Sequence, residues 1–218
     1  MNIKVLYEDN HLIAVYKPAG ILVQGDKSGE ISMLEEVKMY LKNKYEKKGN
    51  VFLGLIHRLD RNVDGVVLFA KTSKGASRIS EQFRNHIVKK EYHAWVHGLM
   101  KDNNAVLINY LKHDERTNLT RVYDMESIDT DRAELSYDLV KKDGEFSLLK
   151  IILKTGKHHQ IRAQFSHIRH PIVGDFKYGS SINLPDQKIA LTATSLSFKT
   201  ATTDEQKTVT LEIPSKSW

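Results

Sequence analysis

Apolar positions along the chain follow two periods. Near the start, Ile3, Val5 and Tyr7 alternate with polar neighbours, and Leu12, Ile13, Ala14 and Val15 run without a break. Alternation places side chains on opposite faces of a strand, whereas a short unbroken run fits a strand covered on both faces. Asp9 and Asn10 supply the turn between them. Lys17-Pro18-Ala19-Gly20 ends the second strand, because proline lacks an N–H donor and glycine frees the backbone. Another apolar run, Val66 to Ala70, follows a charged stretch. Tyr92 to Val96 is a predicted strand closed by Gly98. Alternation returns over 133–140 and 146–153, with Lys141-Lys142-Asp143-Gly144 as the hairpin turn, and a last strand is predicted over 208–213. The segment 105–131 shows no regular period.

The period lengthens to that of a helix in three places. Ser32 and Glu35 form a capping box ahead of Leu34, Val37, Leu41 and Tyr45, with Gly49 as the stop. A helix starting at Ser73 buries Ala76, Ile79, Phe83 and Ile87 and turns Lys74, Arg78, Arg84 and Asn85 outwards. Ile161, Phe165 and Ile168 space as a short third helix. Strands outnumber helices and several neighbours have short connections. The expected class is α+β, with a mixed, mostly antiparallel sheet and flanking helices. No linker rich in Pro, Gly or Ser divides the chain, so a single domain over 1–218 is expected.

Composition narrows the function classes. The 218 residues are 40% hydrophobic, which suits a folded protein with a sizeable core, and the net charge of +6 favours an anionic partner such as nucleic acid. No cysteine is present, which excludes disulfides, thiolate zinc sites and cysteine nucleophiles and fits a reducing compartment. Charges interrupt the apolar start, and no apolar run approaches a membrane span. A soluble, cytoplasmic protein is expected.

Three stretches could carry chemistry. In Gly54–Thr72, Arg58 and Asp60 stand two apart between apolar flanks, so in an extended chain they share a side. A buried carboxylate needs a cation or several donors, and a structural ion pair would suffice. Thr155-Gly156-Lys157-His158-His159-Gln160-Ile161-Arg162 follows an apolar strand and opens a helix, a junction suited to anions. His158 and His159 are adjacent and diverge by about 100° on a helix, with no carboxylate at helical spacing, so no metal site is read there. Lys89 to Trp95 places lysines beside aromatics, which could track phosphates and stack bases, although a strand tyrosine equally serves a core. Lys71, Lys74, Arg78, Arg84, Lys89 and Lys90 are either phosphate contacts or a solvated basic face.

Taken together, these stretches resemble the RluA-type family of RNA pseudouridine synthases. Lys17-Pro18-Ala19-Gly20 resembles its first motif, and His57-Arg58-Leu59-Asp60 with Gly65 is similar to its catalytic H-R-L-D-x-x-T-S-G signature. Lys90-Glu91-Tyr92 resembles its K-x-Y strand, and Gly156 to Arg162 its G-R-x-H-Q-I-R. His170-Pro171-Ile172-Val173-Gly174-Asp175 with Tyr178-Gly179 resembles the motif that follows. The resemblance implies isomerisation of a specific uridine in structured ribosomal or transfer RNA, on a fold with a central catalytic cleft. It implies no cofactor and no metal. It makes Asp60 the nucleophile, Arg162 the basic partner holding that carboxylate, and Tyr92 the active-site tyrosine that stacks on the base and takes a sugar proton. Ile161 becomes the apolar wall behind the uracil and Arg58 the side chain filling the gap left by the flipped base. His57, Lys157 and Gln160 fall among the substrate-binding positions. The N-terminal S4 domain of other members is not expected, nor is a partner chain: the protein reads as a monomer. A catalytically inactive RNA-binding module on the same fold is the alternative, and a metal-dependent nuclease would need carboxylate clusters that the sequence lacks. Three departures stand out: Val63-Asp64 replaces Thr-Ser, Lys157 replaces Arg, and Leu191-Thr192-Ala193 stands where Leu-His-Ala is common.

Overall fold

A computed structural model describes residues 3–216. The elements in chain order are β1 (Val5–Glu8), β2 (Leu12–Lys17), α1 (Met33–Lys44), β3 (Gly54–Leu55), β4 (Asp64–Ala70) and α2 (Ser73–Arg84). They continue as β5 (Lys89–His97), β6 (Asn104–Asp114), β7 (Leu119–Tyr123), β8 (Asp131–Asp143), β9 (Phe146–Leu153), α3 (Gln160–His167), β10 (Leu191–Lys199) and β11 (Gln206–Thr210). The α+β class with a mostly antiparallel strand arrangement is as expected. The chain forms two compact units, the first comprising the residues up to Val88 with Ala193–Glu212, the second Lys89–Thr192 with the segment from Ile213.

In the first unit the strand order is β1-β2-β4-β10, with β3 against β4 and β11 against β10. The pairs β1–β2, β2–β4, β3–β4 and β10–β11 are antiparallel. Every residue of β4 is buried, which accounts for its unbroken apolar run. One core cluster joins Leu12 and Ala14 of β2, Val66 and Leu68 of β4, Ile79 of α2, and Leu196 and Phe198 of β10. Gly65 is obligatory where β4 meets β10. Its φ is +138°, and a Cβ there would lie 2.4 Å from the Ala193 carbonyl oxygen.

Helix α1 has the expected capping box, with the Ser32 side chain accepting from the Glu35 N–H and the Glu35 carboxylate accepting from the Ser32 N–H. It buries Val37 and Leu41 as expected and Met33 besides, while Leu34 is only half-buried and Tyr45 is exposed, and it stops at Tyr45 rather than at Gly49. Tyr45 is drawn outwards to donate to Glu8. Helix α2 buries Gly75, Ile79 and Gln82. Ile87 is 43% exposed because the chain turns at His86, with φ 54°, and sends Val88 into the core instead.

In the second unit the order is β5-β9-β8-β6-β7, and its β5–β9, β8–β9, β6–β8 and β6–β7 pairs are antiparallel. The β8–β9 hairpin turns at Gly144-Glu145, with Asp143 opposite Phe146, so β8 runs past the expected turn start. Strands β6 and β7 occupy the stretch that showed no period. On β6 the apolar Val106 and Ile108 are exposed while Asn109 is buried, which hides the alternation. Among the described residues no helix is long and apolar enough to cross a membrane.

Candidate active site

His57, Arg58 and Asp60 lie in the first unit, in the loop from β3 to β4. Around Asp60 the chain alternates in burial: Arg58 is exposed, Leu59 is buried, Asp60 is half-buried and Val63 is buried. Leu59 and Val63 anchor the loop, and Arg58 and Asp60 are presented outwards on either side of Leu59. A turn follows at once, with the Val63 N–H donating to the Asp60 carbonyl at 3.1 Å.

The first motif holds this loop. Lys17, the last residue of β2, is fully buried. Its ammonium donates to the carbonyls of Pro18 at 3.0 Å, Arg61 at 3.1 Å and Val63 at 2.7 Å. Three donors meet three acceptors, so the buried group is satisfied. Gly20 completes the brace: its N–H donates to the Arg61 carbonyl, and the Arg61 Nε donates back to the Gly20 carbonyl. The Arg61 fork then closes on Glu30, at 3.1 and 2.7 Å. Burial pushes the Lys17 ammonium down to about 8, against the pull of Asp64 and Asp60. Asp64 is itself only 4% exposed and accepts from the Tyr16 hydroxyl at 3.2 Å. The carboxylate that looked out of place beside Asp60 is thus set against a buried cation.

His57 has a structural bond. Its Nε2 accepts from the Leu68 N–H at 3.0 Å, which places the ring proton on Nδ1, and the ring stacks on Phe83 with centroids 5.1 Å apart. The imidazole therefore ties the loop's first residue to β4 and α2.

Tyr92, Lys157, Gln160, Ile161 and Arg162 lie in the second unit. Lys90 and Tyr92 are two apart on β5 and so share a face. Burial pushes the Lys90 ammonium down to about 8, and it donates to the Thr155 carbonyl at 3.4 Å. Gly156 leaves room for it, since a Cβ there would stand 3.2 Å from the Lys90 Nζ.

The loop into α3 is stitched from inside by Gln160. Its Oε1 accepts from the Thr155 hydroxyl at 2.8 Å and the Lys157 N–H at 3.1 Å. Its Nε2 donates to the Glu134 carbonyl at 3.2 Å and to the Gln164 Oε1 at 3.1 Å. The Gln160 amide, 3% exposed, faces the protein at both ends. Lys157 carries its charge to the surface and pairs with Asp131 at 2.7 Å. His159 opens the helix in the left-handed region, with φ 51°, and its Nδ1 meets the Tyr178 hydroxyl at 3.0 Å.

Ile161 and Arg162 are both buried in the first turn of α3. The Arg162 Nε and Nη2 donate to the two Asp175 oxygens at 2.6 and 2.9 Å, and its guanidinium lies over the Tyr178 ring at 5.0 Å. A planar fork matched to a carboxylate is the geometry in which arginine exceeds lysine. Burial pushes the Tyr178 phenol up, which keeps it neutral against this cation. The fourth and fifth motifs are therefore one interlocked structure. Sequence reading placed Asp175 and Tyr178 in a motif without giving them a task. The signal was the charge of Asp175 within an apolar His-Pro-Ile-Val-Gly run.

The basic residues divide. Lys74, Arg78, Arg84 and Lys89 are exposed, whereas Lys71 turns inwards to Glu8 at 2.5 Å and the Asp9 carbonyl at 2.7 Å. Among the described residues no group of three or more His, Asp or Glu side chains is placed to hold a metal ion.

A family model described as RNA pseudouridylate synthase matches residues 11–167. The chain is 34% identical over 178 residues to a ribosomal large subunit pseudouridine synthase C of Buchnera aphidicola, with 82% of this chain and 54% of that protein covered. It is 31% identical over 192 residues to a tRNA pseudouridine synthase C of Vibrio cholerae, with 83% and 76% covered. The chain thus spans about half the length of the Buchnera protein and three-quarters of the Vibrio one. In fold it is similar to human RNA pseudouridylate synthase domain containing 4, with a TM-score of 0.80 at 21% identity over 97% of this chain and 88% of that one.

Proposed function

The chain belongs to the RNA pseudouridylate synthase family, and we propose that it isomerises a specific uridine in ribosomal or transfer RNA to pseudouridine, with Asp60 as the nucleophile. The observation that carries this reading is the loop 57–63. A carboxylate is left half-exposed between two buried anchors, and a buried lysine fixes the backbone on its far side.

In the reaction, the bond from the sugar C1′ to N1 of the uracil breaks and a bond from C1′ to C5 forms. The hydrogen on C5 leaves and N1 gains a proton, so atoms balance with no redox partner. Asp60 supplies the transient covalent partner and leaves as a carboxylate when C1′ joins C5, and Tyr92 stacks on the base and takes the sugar proton, which it returns to the same carbon. Ile161 gives the base an apolar wall. Arg58, exposed beside Asp60, fills the stack that the flipped uridine leaves. Arg162 acts as the cation for the acidic group, its fork oriented by Asp175. Gln160 and His57 act through the backbone they hold. Neither a metal nor a cofactor takes part.

Because C5 loses its hydrogen, RNA carrying tritium at uridine C5 should release it to water in proportion to product. Release that persists in excess chelator is the expected result. Binding of the RNA without release would favour the inactive binding module, and RNA cleavage abolished by chelator would favour a nuclease.

A further inference from the structure

Asp64 stands where the resembling family has serine, next to Gly65, which faces Lys17 across the β2–β4 pair. Two facts make the substitution more than neutral. Lys17 is fully buried and Asp64 is 4% exposed, so each charge is costly unless it is compensated. Of the charges acting on the Lys17 ammonium, Asp64 is the strongest, ahead of Asp60 and Arg61.

Resting on the catalytic reading of Asp60, we propose that Asp64 is a positioning residue. Its carboxylate is the buried counter-charge that keeps Lys17 an ammonium, and the ammonium's three carbonyl bonds hold the loop presenting Asp60. A neutral amine has two hydrogens and cannot donate to Pro18, Arg61 and Val63 together. Losing the proton therefore releases one side of the loop and also removes a positive neighbour of Asp60. A serine at position 64 could accept a hydrogen bond but could not compensate a charge.

Groups acting on the pair include Tyr16 of β2, and Asp60 and Arg61 of the loop. Burial and the nearby Asp64 push the Tyr16 phenol up to about 12, so it stays neutral over the range of interest. Arg61 opposes the Lys17 charge, and its own fork is taken by Glu30. Of Lys17, Tyr16 and Arg61, Lys17 is the one that changes state near pH 8; Lys90 on β5 does so as well, so the loop measurements and not the wild-type pH profile identify Lys17.

The test compares wild type with Asp64→Asn, and with Asp64→Ser in case the amide does not fold. Carbon NMR of lysine labelled at Cε, with Lys17 assigned through its backbone, should give a titration midpoint near 8 in wild type. In either variant it should fall by about one unit or more. Deuterium uptake over residues 58–63, corrected for the intrinsic pH effect, should rise in the variants at pH 7.5, between the two midpoints, and not at pH 5.5, where Lys17 is an ammonium in both. With RNA, the ratio of turnover at pH 8.5 to that at pH 6.5 should drop about tenfold relative to wild type. A Lys17 midpoint unmoved by both substitutions would overturn the charge pairing. A moved midpoint with unchanged loop uptake would overturn the positioning role. If wild type turns over no RNA at all, the proposed function fails, and the two measurements without RNA still decide this inference.

Discussion

Asp60 is bordered by groups whose roles differ although they are neighbours in sequence. Arg58 points outwards, Leu59 anchors, and Arg61 braces the loop to Gly20 and Glu30. Replacing Arg58 with alanine should lower single-turnover rates on a folded stem-loop about tenfold and leave rates on a single-stranded oligonucleotide nearly unchanged, since unstacking a base costs a few kcal/mol only in the duplex. Equal rates on the stem-loop would remove the base-replacing role. Lys17 gives a second test at this scale. Its folded value lies near 8, below the ordinary 10.5, so the unfolded chain holds the proton more strongly. The cost of burying this charge is full below about pH 8 and is relieved as the pH rises towards 10.5. Turnover should therefore fall above pH 8 while the contribution of this group to thermal stability does not. A melting temperature that falls in step with activity would contradict it. Sequence pattern gave Asp60 and Arg58 their shared side but could not reveal the buried lysine, because lysine is almost never fully buried without a specific set of acceptors. Those acceptors are main-chain carbonyls, two of them over forty residues away in the chain, which leave no trace in side-chain pattern.

Elements were legible where one face is buried and one is wet. Helix α1 announced itself by its capping box, and α2 by its basic outer face. Strands β6 and β10 were not legible, for related reasons. Strand β6 exposes Val106 and Ile108 and buries Asn109, and β10 buries Thr192 and Thr194 among its apolar residues. In both, polarity stops reporting which face is covered. Helix α3 was found from three apolar residues, yet six consecutive residues, Gln160 to Phe165, are buried. What holds it is polar: Gln164 donates to Asn109 on β6, and Arg162 grips Asp175. Asp175→Asn leaves a buried guanidinium facing a neutral amide and should cost about 3–5 kcal/mol in urea unfolding. A loss below about 1 kcal/mol would mean the pair does not hold the α3 motif in place.

At the scale of the whole molecule, charge is the property that the proposed RNA substrate would meet first. The net +6 is moderate, and several basic residues are already matched within the protein, as Lys71 and Lys44 are on Glu8. Lys74, Arg78 and Arg84 remain exposed on α2. Replacing all three with alanine should weaken RNA binding and flatten its dependence on salt by about two to three in logarithmic slope, measured between 50 and 200 mM salt. An unchanged slope would make that face merely solvated. The fold class was legible from the excess of strands, but the division into two compact units was not. The chain changes unit at Val88–Lys89, at Thr192–Ala193 and at Glu212–Ile213, the first two beside or inside a strand, with no shift of composition to mark the passage. Formation of pseudouridine through Asp60 is the proposal on which the other residue roles depend. Its most direct measurement is nucleotide-resolution mapping of pseudouridine in ribosomal and transfer RNA made without the modification, after incubation with wild type or with Asp60→Asn. Pseudouridine is expected at one or a few defined uridines with wild type and at none with a folded Asp60→Asn; equal modification by both proteins would rule out Asp60 as the nucleophile.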